Sequence, residues 1–325
     1  MNIIEEAKQS ALNGIVLSKE KIIELLDIPL DSEEDKLLRK TAYDVAMKKS
    51  DGKAYIWSAI GADYAPCLMN CKFCSFGKKW GIVKQQVLYS TEEIIEKAKV
   101  FIDNGAKYIV LRTTEFFSVP KLIEIVKELR KEIDGDYEVI FNTGELDMTI
   151  SNLMVESGVS GVYHACRIRE GIDTPFDPWD RKNTMNNVNR SGLKLISLVE
   201  PIGIEHSNEE IADNFLQMLK YEPTIAGAMA RIPVPGTPLG ELEQISDSKL
   251  AHIIAVLRLA GGDIVKDICV HPVSKEALKS GANVMVVETG AIPRDTECEE
   301  DNWNGVDMKK ANELLKEAGY IVTNK

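Results

Sequence analysis

Basic residues are in short supply in this chain. Lysine and arginine number 39 against 51 aspartates and glutamates, a formal net charge of −12 over 325 residues. A nucleic-acid face needs concentrated positive charge, so no nucleic-acid partner is expected. Long apolar runs are missing too: none approaches the roughly 20 residues that cross a bilayer. The acidic, amphipathic start Met-Asn-Ile-Ile-Glu-Glu-Ala-Lys does not resemble a secretory signal. A cytoplasmic protein without a membrane span is the expectation. Cysteine is sparse as well. There are six, and Cys67, Cys71 and Cys74 fall within eight residues, which is not the even spacing of a small disulfide scaffold. Repeats of near-identical sequence, low-complexity segments and a Pro/Gly/Ser-rich linker are all absent.

What is present is a rhythm. Short, continuously apolar runs alternate with helical patterns: Tyr55–Ile60, Tyr108–Leu111, Glu138–Phe141, Gly161–Ala165, Leu193–Val199, Gly227–Ile232, Ile264–Val270 and Asn283–Val287. Apolar runs without alternation suit parallel strands buried on both faces. The helices between them carry boundary signals. Ser90-Thr-Glu-Glu93 and Ser207-Asn-Glu-Glu210 are capping boxes, in which the serine hydroxyl and the glutamate satisfy each other's backbone donors. A further helix near Ser246–Ala260 stops at Gly261-Gly262, and a last one runs from about Asp307 to Ala318. Eight such units predict an α/β fold, a (β/α)8 TIM barrel spanning residues 51–325. Residues 1–50 form a helical extension, with Ile22, Ile23, Leu25 and Leu26 in one apolar cluster and Leu37, Leu38, Tyr43 and Met47 in another.

The cysteine triplet, Cys67-x3-Cys71-x2-Cys74, follows the first candidate strand, where a barrel presents its catalytic loops. Soft thiolates select iron–sulfur clusters or zinc. A structural zinc site takes four ligands, and no fourth Cys or His lies close in sequence. Three thiolates can hold three corners of a cubic cluster and leave the fourth iron open. A chance grouping of buried cysteines is the remaining alternative.

The triplet, with Phe73 just before its third cysteine, resembles the signature of the radical S-adenosylmethionine (SAM) superfamily. In that family a [4Fe–4S] cluster binds SAM at its open iron and cleaves it reductively to a hydrogen-abstracting 5′-deoxyadenosyl radical. The resemblance narrows to the biotin synthase-like group, which includes methylornithine synthase and an [FeFe]-hydrogenase maturase. It covers roughly residues 50–320. Ala230-Arg-Ile-Pro-Val-Pro-Gly-Thr-Pro-Leu239, Gly281-Ala-Asn-Val and Arg258 in Leu-Arg-Leu-Ala-Gly lie in similar stretches.

By that resemblance Phe73 lies against the adenine and Glu115 accepts the SAM ammonium. Thr113 and Thr114 stand where the family has glycines. Arg181 pairs with the SAM carboxylate, and a guanidinium fork suits that group. Glu200 opens the adenine-binding segment Glu200–Glu205. Glu170 is expected near the ribose, and Arg167 or Arg169 toward an anionic substrate group.

Biotin synthase holds a second cluster with cysteines on inner strands, and Val110–Thr113, Phe141–Thr143 and Leu195–Leu198 carry none. Cys166, Cys269 and Cys298 fall near the ends of three later strands, where they either form a different auxiliary site or pack as buried thiols. Other similar families are the radical SAM protein associated with [Fe]-hydrogenase cofactor maturation and the archaeal-type lipoyl synthase. They imply a small-molecule substrate and an electron donor such as ferredoxin or flavodoxin. A non-catalytic electron-transfer or redox-sensing protein is the alternative of another class, although such clusters usually have four cysteine ligands.

Overall fold

The computed structural model describes residues 2–294 and 305–323. Eight parallel strands pair in sequence order and close on themselves. They are β1 (Lys53–Gly61), β2 (Tyr108–Arg112), β3 (Glu138–Asn142), β4 (Gly161–Tyr163), β5 (Lys194–Ile196, resuming as Val199–Ile202), β6 (Ile225–Ala230), β7 (Asp267–His271) and β8 (Val284–Gly290). β8 returns to β1 with Tyr55 opposite Val284 and Gly61 opposite Gly290. A two-stranded ribbon, Asp63–Tyr64 with Val87–Leu88, stands beside the mouth. Ile321–Val322 adds a short parallel pairing at the start of β1.

Alternation along each strand divides the core in two. Trp57 and Ala59, Tyr108 and Val110, Ile140, Tyr163 and Val284 with Val286 point inward and fill the barrel. Ile56 and Ile60, Ile109 and Leu111, Val139 and Phe141 point outward, against the helices. Both faces are apolar because both are covered, which is why these strands read as continuous apolar runs.

The covering helices are α4 (Thr91–Asp103), α5 (Val119–Glu132), α6 (Met148–Glu156), α7 (Pro178–Ser191), α8 (Asn208–Leu219), α9 (Asp247–Ala260), α10 (Lys275–Leu278) and α11 (Met308–Glu317), after α1 (Ile3–Leu12), α2 (Lys19–Leu26) and α3 (Glu33–Lys49). Both capping boxes form as expected. α1 and α3 pack along α9, and α2 reaches α8 and α9. α9 is therefore enclosed on all sides, and every residue from Leu250 to Ala260 is buried. In the second N-terminal cluster Leu38 is buried while Leu37 points to solvent.

The strand boundaries need correction: β1 starts at Lys53 and β8 runs on to Gly290, and four further strands differ. β4 ends at Tyr163, and the carbonyl of Ala165 accepts from the Arg181 side chain instead. The Leu193–Val199 run breaks at Ser197–Leu198 and resumes at Val199, and the register against β6 shifts between Val199 and Ile202. β6 starts two residues early, at Ile225, and stops at Ala230, before Pro233. β7 begins at Asp267 rather than Ile264, because the carbonyl of Lys266 is taken by Arg258.

Arg258 is fully buried at the foot of the barrel. Its Nε and Nη2 donate to Gly281 O at 2.9 and 2.7 Å, Nη1 to Lys266 O at 2.8 Å, and Nη2 to Asn283 Oδ1 at 2.9 Å. Asn283 in turn accepts from Ile268 N and donates to Asp267. One guanidinium thus ties α9 to the starts of β7 and β8. Removing it leaves the buried Gly281 carbonyl without either of its guanidinium donors and takes one donor each from Lys266 O and Asn283 Oδ1, so Arg258→Leu is expected to cost about 3 kcal/mol. Urea unfolding monitored by circular dichroism measures this.

All four histidines, His164, His206, His252 and His271, are held below the ordinary imidazole value, chiefly by burial. On acidification below about pH 6.5 the unfolded chain takes up protons before the folded one, so stability falls with pH. His252 bonds Asp35 at 2.7 Å between α9 and α3. Replacing it by Gln is expected to shrink the difference in melting temperature between pH 7.5 and pH 5.5.

Candidate active site

The thiol loop is built by backbone bonds. Cys67 N donates to Phe76 O at 2.6 Å, and Lys78 N returns a bond to Cys67 O at 2.9 Å. Asn70 takes a positive φ of 51°, and its side chain accepts from Lys79 N at 2.8 Å. The Trp80 indole donates to Cys71 O at 3.2 Å across Gly77. A Cβ on Gly77 would come within 2.1 Å of that indole, so only glycine fits. Ser75 fixes the loop from the other side, its N and Oγ both donating to Pro293 O, at 2.9 and 2.6 Å.

Cys67, Cys71 and Cys74 line one cavity of about 210 Å³ at the mouth of the barrel. Its floor is Trp57, Val110, Leu198 and Val286, and its walls carry five arginines and three glutamates among the described residues. Burial pushes the free Cys71 thiol up to about 12 and Cys74 up to about 11, and raises Cys67 as well. These thiols become thiolates only when a cation replaces the lost hydration. Among the described residues no three His, Cys, Asp or Glu are arranged to hold a single ion. Three soft donors in one loop, spread around a cavity, fit three corners of an iron–sulfur cluster and do not fit a closed zinc site.

One wall is formed by residues after β2 to β5. Glu115 is raised to about 7 by burial and by the neighbouring Glu145. A Cβ on Gly144 would lie 2.6 Å from Glu115 O, so Gly144 admits this carboxylate to the site. Thr114 bonds Asp63 through its amide and hydroxyl, and Thr113 bonds Thr143 at 3.1 Å. The threonines standing for glycines thus pin the loop. Arg181 donates from Nη1 to Glu145 at 2.8 Å and from Nε to Ala165 O at 3.2 Å, with Phe176 under its plane at 4.6 Å. Although burial opposes it, His164 and Arg181 hold Glu145 well below the usual carboxylate range. Arg167 stands 3.4 Å from Glu200, which also accepts from the Tyr163 hydroxyl. Arg167 Nη1 is buried without a hydrogen-bond partner.

The opposite wall is one charged cluster. Glu288 of β8 accepts from Arg112 and Arg294 and bonds His271 Nε2 at 2.9 Å. Burial opposes the charge, yet these three hold Glu288 well below the ordinary value. Arg112 also donates to Ala291 O.

Of the residues singled out in the sequence, Cys67, Cys71, Phe73, Cys74, Thr113, Thr114, Glu115, Arg167, Arg181 and Glu200 all line the cavity. Glu170 does not. It sits behind the wall, accepting from Arg167 N at 2.7 Å and from the Thr174 hydroxyl. Arg169 turns away to Glu210. Cys166 and Cys269 do not converge on an auxiliary site. Cys166 packs in the layer between barrel and helices, and Cys269 is sealed inside the barrel opposite Gly227 and Val284. Cys298 lies outside the described residues. Given no individual role by the sequence were Trp57, Asn142, Phe176, Arg231, Glu288 and Arg294, all on the lining. Glu288 did carry a signal: an acid directly following Val284-Met-Val-Val287, a run otherwise fit for a buried strand.

Removing the Glu288 charge leaves two guanidinium groups facing each other in the rim. Glu288→Gln is expected to cost about 3 kcal/mol. It should also lower iron retention, because Pro293, next to Arg294, clamps the thiol loop. Iron content after anaerobic reconstitution, read beside the melting temperature, checks both.

Comparison with known proteins agrees with this geometry. The Radical SAM superfamily profile matches residues 65–219. The biotin synthase of Hyphomonas neptunium (strain ATCC 15444) is 24% identical over 287 residues, 85% of this chain and 84% of that one. Biotin synthase 2 of Corynebacterium diphtheriae (strain ATCC 700971 / NCTC 13129 / Biotype gravis) is 23% identical over 99% of this chain and 97% of its own. The crystal structure of methylornithine synthase (PylB) superposes with a TM-score of 0.81 at 17% identity, covering 98% of this chain and 96% of that one. HydG, a maturase of the [FeFe]-hydrogenase, gives 0.80 at 14% identity, over 99% of this chain and 75% of its own. At these identities the two structures speak for the fold. With its profile match, its similarity to biotin synthases and three thiols at the mouth of a parallel barrel, the chain carries a radical SAM domain over residues 65–219, and the enzymes of that superfamily work with a [4Fe–4S] cluster and SAM.

Proposed function

We propose that this enzyme abstracts hydrogen from a small substrate in the biosynthesis of a cofactor, such as the maturation of the [Fe]-hydrogenase cofactor. The observation that carries the hydrogen-abstraction reading is the content of the cavity. Among the described residues its lining holds three thiols and no fourth. Sulfur insertion of the lipoyl synthase kind calls for an auxiliary cluster, and neither Cys166 nor Cys269 reaches the cavity to support one.

Cys67, Cys71 and Cys74 hold the cluster. When bound, cluster and SAM together supply reductive cleavage of a C–S bond and, from it, a hydrogen-abstracting carbon radical. Glu115 accepts the SAM ammonium, whose charge favours the ionised carboxyl that burial disfavours. Arg181 and Arg167 face the SAM carboxylate from a wall already neutralised by Glu145 and Glu200. Phe73 supports the adenine. Trp57, Val110, Leu198 and Val286 form a dry floor that keeps water and stray hydrogen donors away from the reacting centre. Ferredoxin or flavodoxin in the cytoplasm completes the system as reductant.

Reconstituted protein is expected to carry about four irons per chain. After reduction it should release methionine and 5′-deoxyadenosine from SAM, both measured by liquid chromatography. Each single Cys→Ala change at positions 67, 71 and 74 should abolish this while leaving the far-ultraviolet circular dichroism intact. Clearly more than four irons would favour sulfur insertion. Stable iron with no SAM cleavage would leave a non-catalytic electron-transfer protein.

A further inference from the structure

The net charge of −12 is not spread evenly. Between Asp63 and Glu92 the sequence has no acidic residue and four lysines, Lys72, Lys78, Lys79 and Lys84. This is the thiol loop and its continuation. Lys72 is held by Asp173 at 3.1 Å. Lys78, Lys79 and Lys84 are exposed, and among the described residues their ammonium groups have no carboxylate partner. The backbone sets two of them directly on the thiol loop: Lys78 N is bonded to Cys67 O, and Lys79 N to the Asn70 side chain. Trp80, the next residue, bonds Cys71 O. Leu68, one residue from Cys67, is 60% exposed. The outer surface of the loop thus carries Lys78 and Lys79 beside the exposed Leu68, on a chain of net negative charge.

Nothing in the cavity uses these lysines, and none of the three lines it. The cavity needs an electron delivered to its thiol side. An acidic protein is repelled by most of this surface and attracted to this loop, which steers encounters to it. We propose that the face formed by Leu68, Lys78 and Lys79 is the docking surface for an acidic one-electron carrier protein of the ferredoxin or flavodoxin class. The proposal rests on the reading that Cys67, Cys71 and Cys74 hold a redox-active cluster. In the step, the carrier is oxidised by one electron and the cluster is reduced by one, with no covalent bond made or broken. The last stretch of the path runs through the loop itself, so the carrier docks beside the ligands rather than across the barrel.

The test compares Lys78→Glu/Lys79→Glu with the wild type, both reconstituted, using a purified bacterial-type ferredoxin or dithionite as reductant. The double reversal is expected to raise the KM for ferredoxin on the order of tenfold at low salt. SAM cleavage driven by dithionite and the iron content should stay unchanged. The Lys78→Arg/Lys79→Arg pair should keep the wild-type KM, and added salt should raise the wild-type KM toward that of the reversed variant. An unchanged KM overturns the proposal. So does an equal loss with both reductants, which would tie the lysines to the cofactor site instead. Calorimetric binding of ferredoxin reads the surface whether or not SAM is cleaved, so the docking surface and the proposed reaction fail separately.

Discussion

A single carboxylate inside the barrel, Glu288, holds the mouth together. It is placed by β8, and its partners come from the ends of β2 and β7 and from the loop after β8. A lone buried carboxylate would take up a proton rather than stay charged. Here two guanidinium groups and an imidazole surround it, and the cost of burial is met by the geometry of that shell. The consequence travels outward. Arg294 is one residue from Pro293, whose carbonyl holds Ser75 between Cys74 and Phe76. The thiol loop is therefore positioned through a strand on the other side of the β1 seam, not only by its own turns. Cofactor loading and rim stability are coupled in this design.

The opposite wall uses the same physics with a different balance. Arg181 and Arg167 are matched by Glu145 and Glu200, and Phe176 lies beneath both guanidiniums. These pairs sit over an apolar floor, where charge interactions are strong and unpaired charge is costly. Burial raises Glu200 even beside Arg167, and it raises Glu115 too. Glu115 is raised to about 7 and, among the described residues, has no direct guanidinium bond of its own. A carboxylate left under-compensated in a cavity is suited to receive a cation from outside, as an ammonium group would provide. The thiols show the complementary state, anionic ligands that burial keeps neutral until a cation arrives.

The parts legible in the sequence were those governed by local rules. Capping at Ser90 and Ser207, the apolar strand runs and the three-cysteine loop each need only a few neighbouring residues; the caps and the loop are found where expected, and every run contains a strand, though with shifted ends. What the chain order hides is which way a side chain turns after a strand ends. Arg167, Arg169 and Glu170 look equivalent in sequence. Arg169 has a positive φ of 56° and faces Glu210, Glu170 is drawn behind the wall by Thr174 and the amide of Arg167, and only Arg167 lines the cavity. Cys269 misled for the opposite reason. It stands two residues before the end of β7, and strand alternation seals it in the floor while His271, two residues later, reaches the mouth. Position within a strand, not proximity to its end, decides which residue reaches the mouth.

Arg258 makes the same point at the foot of the barrel. It resembles a family motif residue, and an arginine invites a functional reading. Its donors are all directed at the chain's own groups, two carbonyls and the Asn283 side chain, under helices that enclose α9 completely. A charge at this end of a parallel barrel closes strand starts, whereas charges at the other end are exposed to whatever enters. The two ends can therefore be tuned separately. Changes at Arg258 act on folding, and changes at the thiol loop act on what it holds and what approaches it. Glu288 serves both purposes at the mouth, since its shell is both the lining of the cavity and the clasp of the rim.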